Sequence, residues 1–282
     1  MSNIRSIRAR IKSVESTRQI TRSMKMVAAS KLRKTQGLSQ SLREYADTCA
    51  ELLSSVLCDR SRSDNPYLRP SGKGRLCYVL FVGNRGLCGA YNVNVLKYLN
   101  DLVHTEGNEG FVITVGRWGR ETIEAGDFEL RRSFPDMSDT PTTEDARVLT
   151  DYLKALYRSG EAREIRLVYQ RMRSVLSQTP ECRTLLPVKA EKCEAAEFIY
   201  EPDVRSVTDA LIEQYIDSTV YAALLEAKAS EHSARMIAMG SATDNTDELI
   251  EKLNLKLNHE RQAAVTTEIA EIAGGAEALR NQ

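Results

Sequence analysis

Proline is missing from both ends of this 282-residue chain. All seven prolines fall between Pro66 and Pro202. Residues 1–65 carry one glycine, Gly37, and residues 203–282 carry three, Gly240, Gly274 and Gly275. Proline costs about 3 kcal/mol inside a helix, so stretches of this length without one point to uninterrupted helix. At the α-helical rise they would run for about 100 Å and about 120 Å, well beyond ordinary globular helices. Long apolar runs are also lacking. The longest, LCYVLFV, is far short of the roughly 20 residues a membrane-spanning helix needs. The cysteines (Cys49, Cys58, Cys77, Cys88, Cys182, Cys193) form no C-x-x-C pair and have no accompanying His-Cys cluster. They read as reduced, inert thiols and not as a zinc site.

Catalytic signatures are scarce too. No G-x-x-x-x-G-K-[ST] occurs; SGKGR at 71–75 has the lysine without the upstream glycine or the hydroxyl residue, which excludes nucleotide hydrolysis through a phosphate loop of that kind. His104, His232 and His259 are far apart in sequence, and HERQA is not H-E-x-x-H. The expectation is no metal, no cofactor and no catalytic residue.

What is present is charge, arranged unevenly. Lys/Arg and Asp/Glu balance at 39 each. Residues 1–36 nevertheless hold ten Lys/Arg against the single acid Glu15, while residues 203–282 hold fourteen acids and seven Lys/Arg. Ends of opposite sign meet each other, or each meets something else. The Arg- and Ser-rich start has the composition of an organelle transit peptide. Its pattern, however, runs unbroken into the following helix with no small-residue cleavage site, so it reads as mature protein.

Helical periodicity fills both ends. Ile4, Ile7, Ile11 and Val14 form one stripe; Leu38, Leu42, Tyr45, Cys49, Leu52 and Val56 form another. Near the other end, Leu211, Tyr215, Ala222 and Leu225 share a stripe, as do Ile250, Leu253 and Leu257. Alternating steps of three and four are the mark of a coiled-coil seam. The middle reads differently. RLCYVLFV, FVITV, FELRRSF, EIRLVYQRM and TPECRTLLPV are strands; YNVNVLKYLNDLVHT, RWGRETIEA and DARVLTDYLKALYRSG are helices. Strands alternating with helices imply a largely parallel sheet covered by helices. The predicted architecture is therefore an N-terminal helix (1–65), an inserted α/β domain (66–202) and a C-terminal helix (203–282), the two long helices running antiparallel as a coiled coil.

If Leu57 faces Val207, paired positions sum to about 264, and residues 264–282 have no partner in the chain. That overhang carries its own apolar stripe, Val265, Ile269, Ile272, Ala276 and Leu279. Its partner is expected to be another protein, since each such side chain contributes about 1.5–3 kcal/mol when buried. Two charges interrupt the seams. Arg18 follows Ile11 and Val14, and Arg261 follows Leu253 and Leu257. Each reads either as an external contact or as a long side chain snorkelling to water. GNRGLCG, after the first strand, has the spacing G-x-x-G-x-x-G, unlike a dinucleotide fingerprint. It is expected to be a tight turn whose glycines supply positive φ.

Taken together, IRARIKSVESTRQITRSMKMVAASKLRK, NRGLCGAYN, FIYEPD, YAALLEAKASEHSARMIAMGSATDN and LIEKLNLKLNHERQAAVTTEIAEIAGGAEAL resemble, in the same order, the gamma subunit of F-type ATP synthase. The resemblance implies an antiparallel coiled coil with an inserted Rossmann-like domain. It implies a non-catalytic rotor shaft inside an alpha3-beta3 hexamer, joined at its foot to an epsilon subunit and a membrane c-ring and turned by proton or sodium flow. The catalytic sites then belong to the beta subunits, no nucleic acid is involved, and the membrane is reached only through the complex; the start read as mature protein, without a presequence, points to the cytoplasmic face of a bacterial plasma membrane. It further implies that Met24, Lys25, Arg235, Arg261, Gln262 and Thr266 meet beta-subunit segments, and that the terminal stripe turns in an apolar sleeve. Lys25 and Asn84 depart from the family, which often has other residues there, Asp at the second position. The dithiol insertion of the chloroplast type is absent. Two other classes stay open on the residues alone. A nucleic-acid-associated coil would draw on the basic start and bind in a salt-dependent way, and a nicotinamide enzyme would use the α/β domain.

Overall fold

The computed structural model describes residues 2–58, 64–69, 74–107, 110–126, 128–189 and 200–280, with backbone alone at 2, 58 and 277–280. Residues 71–73 of SGKGR, the start of FIYEPD, Cys193 and the side chain of Leu279 therefore lie outside the described residues. The chain forms two compact units, Met1–Val27 with Ala238–Gln282, and Ala28–Ile237. Two long helices, α1 (Ser2–Cys58) and α5 (Val204–Arg280), contribute to both. They are 57 and 77 residues long, the outcome that the proline-free ends demand.

The larger unit holds a five-stranded sheet of order β3-β2-β1-β4-β5, from β1 (Arg75–Phe81), β2 (Gly110–Val115), β3 (Leu130–Phe134), β4 (Ala162–Ser174) and β5 (Ser177–Leu186). The first four strands run parallel, with Val79 opposite both Ile113 and Leu167; β5 returns antiparallel from a hairpin. Parallel neighbours need crossovers, supplied by α2 (Tyr91–Glu106), α3 (Arg117–Glu124) and α4 (Thr143–Arg158). The period-two alternation of strand side chains sorts β1 between two cores. Cys77, Val79 and Phe81 join α4, Leu53 of α1 and residues 212–227 of α5 on one face; Leu76, Tyr78 and Leu80 meet Val95, Leu99 and Val103 of α2 and Ile123 of α3 on the other. Thr142 caps α4 in a capping box with Asp145.

Because α5 is enclosed in this unit, its residues 222–233 are buried on every side and not along one stripe. The α1 stripe also departs from expectation. Leu38, Tyr45 and Leu52 are exposed, while Thr35, Ser39, Ala46, Cys49, Leu53 and Val56 are buried, with Leu42 between. Of the expected stripe, Cys49 and Val56 are thus inside and Leu38, Tyr45 and Leu52 outside, and the buried face adds Thr35, Ser39, Ala46 and Leu53.

Gly116, at the turn from β2 into α3, has φ of 115°, and a Cβ there would sit 2.2 Å from the Val82 carbonyl oxygen. Gly116→Ala is therefore expected to lower the unfolding free energy by about 2–4 kcal/mol, combining a backbone conformation closed to L residues with a clash against rigid main chain. Urea unfolding measures it, and an unchanged midpoint would contradict the geometry.

The smaller unit is an antiparallel helix pair. Thr243 Oγ1 meets Thr21 Oγ1 at 2.9 Å, Arg18 Nη1 donates to Asp247 Oδ1 at 3.0 Å, and the Lys25 side chain lies over Gly240. Numbers of facing residues sum to 264 or 265, the register expected from the sequence. Ile4, Ile7, Ile11, Val14, Thr21 and Met24 face a seam of α5 built from Met239, Thr243, Thr246, Ile250, Leu253, Leu257 and Glu260. Most of these are only half-buried, because two helices without a third layer cannot cover their own seam.

Candidate functional site

A doubly wound sheet of this order leaves a crevice beyond the carboxyl ends of its strands, between β1 and β4, where such folds hold ligands. Here α5 fills it. Gln170, at the carboxyl-terminal part of β4, donates from Nε2 to the Tyr91 carbonyl at 2.9 Å, and its own carbonyl accepts from Ser230 Oγ at 2.7 Å. The Tyr91 hydroxyl donates to the Ala227 carbonyl at 3.0 Å. The Glu231 carboxylate occupies the space over Gly83, so a Cβ on that glycine would come within 3.1 Å of it. The room a pyrophosphate would need is taken by the chain itself, which removes the dinucleotide reading.

The glycine loop differs from expectation. Of Gly83, Gly86 and Gly89, Gly89 alone has positive φ, at 58°; Leu87 also takes the left-handed region, at 61°. Gly83 instead serves the close approach of Glu231.

Glu231 anchors a buried ion cluster that the sequence reading did not find. Its carboxylate accepts from Lys228 Nζ at 2.9 Å and from Arg235 Nη2 at 2.7 Å. Burial acts to raise its pKa, but the charges of Lys228 and Arg235 outweigh burial and hold it below the usual carboxylate range. Arg235 Nη2 also reaches the carbonyls of Arg85 and Gly86, at 3.1 and 3.4 Å. The side chain expected at a partner is turned onto the chain's own loop. A run of polar residues inside a helix, KASEHSAR, was the available signal, but their partners lie up to 150 positions away.

His232, next along α5, is almost fully buried. Its Nε2 lies 2.8 Å from the Asp139 carbonyl, which can only accept, so the proton sits on Nε2 and Nδ1 is left without a partner. Lys228, Glu231 and Arg235 face it from α5, and Asp139 pairs with Lys31 of α1. Burial pushes the imidazole pKa down, against the pull of the Asp139 carbonyl and Glu231. The unfolded imidazole takes up a proton near pH 6.5 and the folded one resists it, so stability is present above that pH and is lost as pH falls below it. Urea unfolding at pH 7.5 and 5.5 is expected to show a smaller acid-side loss for His232→Gln than for the parent chain. Equal losses would remove His232 as the cause.

In the smaller unit, Met24 is half-buried on the seam and Lys25 is exposed. Arg18, Arg22 and Lys25 rim a groove with Met26, Thr243 and Asp247. Ile20 and Val27, also exposed, were not singled out by the sequence pattern, because they lie off the seam. Arg18 resolves as a contact across the helix pair. Among the described residues of this unit, Arg18–Asp247 is the one ion pair that crosses between helices, so opposite charge contributes little to holding them. From Arg261 to Ala276 every residue of α5 is exposed. Arg261, Gln262 and Thr266 stand on this segment, and Thr266 Oγ1 donates only to the Gln262 carbonyl one turn back. Val265, Ile269 and Ile272 are 48, 61 and 67% exposed, and Ala276 continues their line. This is a helix with an apolar stripe that no described residue of its own unit covers.

Comparison with known proteins gives a consistent picture. A family model described as ATP synthase matches residues 3–279. The ATP synthase gamma chain of Desulfitobacterium hafniense is 41% identical over 280 residues, 99% of this chain and 100% of that one. That of Moorella thermoacetica is 40% identical over 282 residues, again 99% and 100%. Among solved structures, a chain of the Euglena gracilis mitochondrial ATP synthase in rotational state 3 (OSCP/F1/c-ring) superposes with a TM-score of 0.72 at 20% identity, covering 99% of this chain and 95% of that chain. A chain of the rotor of the same assembly in rotational state 1 gives 0.64 at 19%, covering 94% and 99%. At such identity the structural likeness is one of fold.

Proposed function

The chain belongs to the ATP synthase gamma-chain family, and from that premise we propose that it is the non-catalytic central shaft of an ion-driven ATP synthase. It stands within an alpha3-beta3 hexamer, is joined to an epsilon subunit and a c-ring, and transmits torque between ring and hexamer. The observation that carries this reading is the bare segment of α5. Sixteen successive residues from Arg261 to Ala276 are exposed, and their contiguous apolar line is the kind of surface that marks an interaction site. The filled crevice of the α/β domain supports a mechanical and not a chemical role. So does the continuity of α1 and α5, free of the prolines that kink helices.

The mechanism follows from contact. A shaft with different faces toward three equivalent sites stabilises a different state at each, because a conformational equilibrium moves only by differential interaction. Arg261, Gln262 and Thr266 are the contacts we assign to beta-subunit loops on the bare segment. Met24 and Lys25 are the contacts we assign to acidic segments of the same subunits, with Lys25 and the neighbouring Arg22 supplying the cations, and Val265, Ile269, Ile272, Ala276 and Leu279 form the bearing tip. Residues 66–202 form the inserted domain, which we assign to contact with the epsilon subunit and the c-ring. No described helix is long and apolar enough to cross a membrane. The proposed attachment is peripheral, through the complex, at the cytoplasmic face of the bacterial plasma membrane, with protons or sodium as the coupling ion.

The test is reconstitution of the full chain with alpha and beta subunits. Expected are stoichiometric co-purification and ATP-driven rotation; a chain that stays free of the hexamer overturns the reading. Within the complex, Arg261→Ala with Gln262→Ala is expected to slow ATP-driven rotation by about two- to tenfold, the loss of one or two polar contacts of about 0.5–1.5 kcal/mol. An unaltered rotation rate removes these two as principal contacts.

A further inference from the structure

Glu226 of α5 is buried, with 6% of its side chain exposed, yet its charge is loosely held. Its Oε1 lies 3.7 Å from Arg43 Nη2 on α1 and 3.7 Å from Arg171 Nε on β4, beyond hydrogen-bond reach of both. Among the described residues, neither Glu226 Oε1 nor Arg171 Nε has a hydrogen-bond partner. Glu231, farther along the same helix, accepts from its two cations at 2.9 and 2.7 Å. Two buried carboxylates on one helix are thus held in opposite ways, one gripped and one loosely framed.

The charges around Glu226 come from three other elements. From α1 comes Arg43, whose side chain is 34% exposed and whose one ion pair among the described residues is with Glu226. From β4 come Arg171 and Arg173. From β5 comes Glu181, which accepts from Arg171 Nη1 at 3.1 Å and lies 3.8 Å from Arg173 Nη2. Arg183 of β5 sits 3.9 Å from Asp47 of α1, and the Tyr169 hydroxyl of β4 keeps its proton, held by burial and by the Glu226 charge. One turn away on α5, Ala222, Ala223, Ala229 and Ser230 carry no charge. Burial pushes the Glu226 carboxyl above its ordinary range; Arg43 and Arg171 pull against burial without cancelling it, and Glu181 adds to the rise. Arg171 keeps a partner in Glu181 whether or not Glu226 is charged, whereas Arg43 does not.

We propose that Glu226 is a proton-operated release between α1 and α5. Ionised, it draws Arg43 to α5; on taking up one proton it frees Arg43 to water, while the β4–β5 hairpin stays tied through Arg171 and Glu181. Such a cross-tie passes load from one long helix to the other within the larger unit, so this stretch of the pair is stiffer at neutral pH than in weak acid. The release is a property of the free chain and stands whether or not the shaft reading does.

Three measurements on the full-length chain test it. In a carbon-13 titration of the glutamate carboxyls, the resonance missing from Glu226→Gln is expected to have its midpoint above the ordinary value of about 4.3. Arg43→Ala is expected to raise that midpoint further, since a cation that holds the ionised form opposes the proton. A midpoint at or below the ordinary value overturns the proton site, and one that Arg43→Ala leaves in place overturns the tie to Arg43. At pH 7.5, Glu226→Gln stands in for the protonated form. Amide exchange at residues 40–47 of α1 is expected to quicken about threefold or more, with β4 and β5 as in the parent; unchanged exchange in α1 overturns the release. The sign of the stability effect is fixed as well. A carboxyl whose folded pKa is raised contributes stability that is complete below the unfolded value and lost as pH rises through the folded one. From pH 7.5 to 5.5 the parent is therefore expected to gain in urea midpoint relative to Glu226→Gln, the His232 and Glu231 titrations being common to both. A parent that gains nothing on the variant overturns the proton site.

Discussion

Replacing Glu231 with alanine is expected to lower the unfolding free energy of the chain by about 3–5 kcal/mol, the usual consequence of removing one partner from a buried ionic group. The magnitude follows from what remains. Lys228 and Arg235 stay in place at 3 and 12% side-chain exposure, with no carboxylate between them, and the space over Gly83 empties. Glu231→Gln keeps the shape and one acceptor and is expected to cost less than the alanine variant. By contrast, Arg18→Ala removes an ion pair whose members are 44 and 54% exposed, and about 1 kcal/mol or less is expected. Urea unfolding of the three variants beside the parent decides between burial and charge as the governing factor. A Glu231→Ala loss no larger than that of Arg18→Ala would mean that the cluster contributes nothing. The pH course carries the sign of the same effect. The folded carboxyl lies below its ordinary pKa, so its stabilisation is present at neutral pH and disappears as pH falls below the carboxylate range. The parent should therefore show an acid-side loss that Glu231→Ala lacks.

These positions mark the boundary of what the amino-acid pattern could reveal. The strands of the α/β domain were legible because buried parallel strands are continuous apolar runs, and LCYVLFV has no other stable place than inside a sheet. The long helices were legible from missing proline, and the pairing register from the lengths alone; Thr21 opposite Thr243 falls where counting puts it. The α1 stripe was legible at Cys49 and Val56, which are buried, but not at Leu38, Tyr45 and Leu52, because a large apolar side chain on a long helix need not be an inward one. Thr35, Ser39 and Ala46 are inside with Leu53, a polar and small-residue face that an apolar pattern does not mark. The cluster at Lys228, Glu231 and Arg235 was illegible for another reason. Its ligands are a glycine without a side chain and two backbone carbonyls, and main-chain groups carry no sequence signature. The loop glycines suffered likewise, since Gly83 is there for a carboxylate 148 positions later and not for its own φ.

Deleting residues 264–282 should separate folding from assembly. Within their unit, residues 261–276 are exposed throughout, so their removal takes away little intrachain contact. The unfolding free energy of the remainder is expected to stay within about 0.5 kcal/mol of the parent, as for surface changes away from packed features. Association with the alpha3-beta3 hexamer is a different matter. Val265, Ile269 and Ile272 would each contribute about 1.5–3 kcal/mol on full burial, and part of that gain is offset by ordering and imperfect desolvation. A net loss of a few kcal/mol remains, which weakens assembly by about one to three orders of magnitude. Titration of hexamer with parent and shortened chain measures it directly. Ile269→Glu with Ile272→Glu, in the full-length chain, asks whether the apolar stripe or merely the length of helix is responsible: a charged stripe should weaken assembly about as much as the deletion if an apolar sleeve receives it. Equal affinity of the parent, shortened and charged chains would mean that the hexamer does not grip this segment at all, and the bare helix would need another occupant.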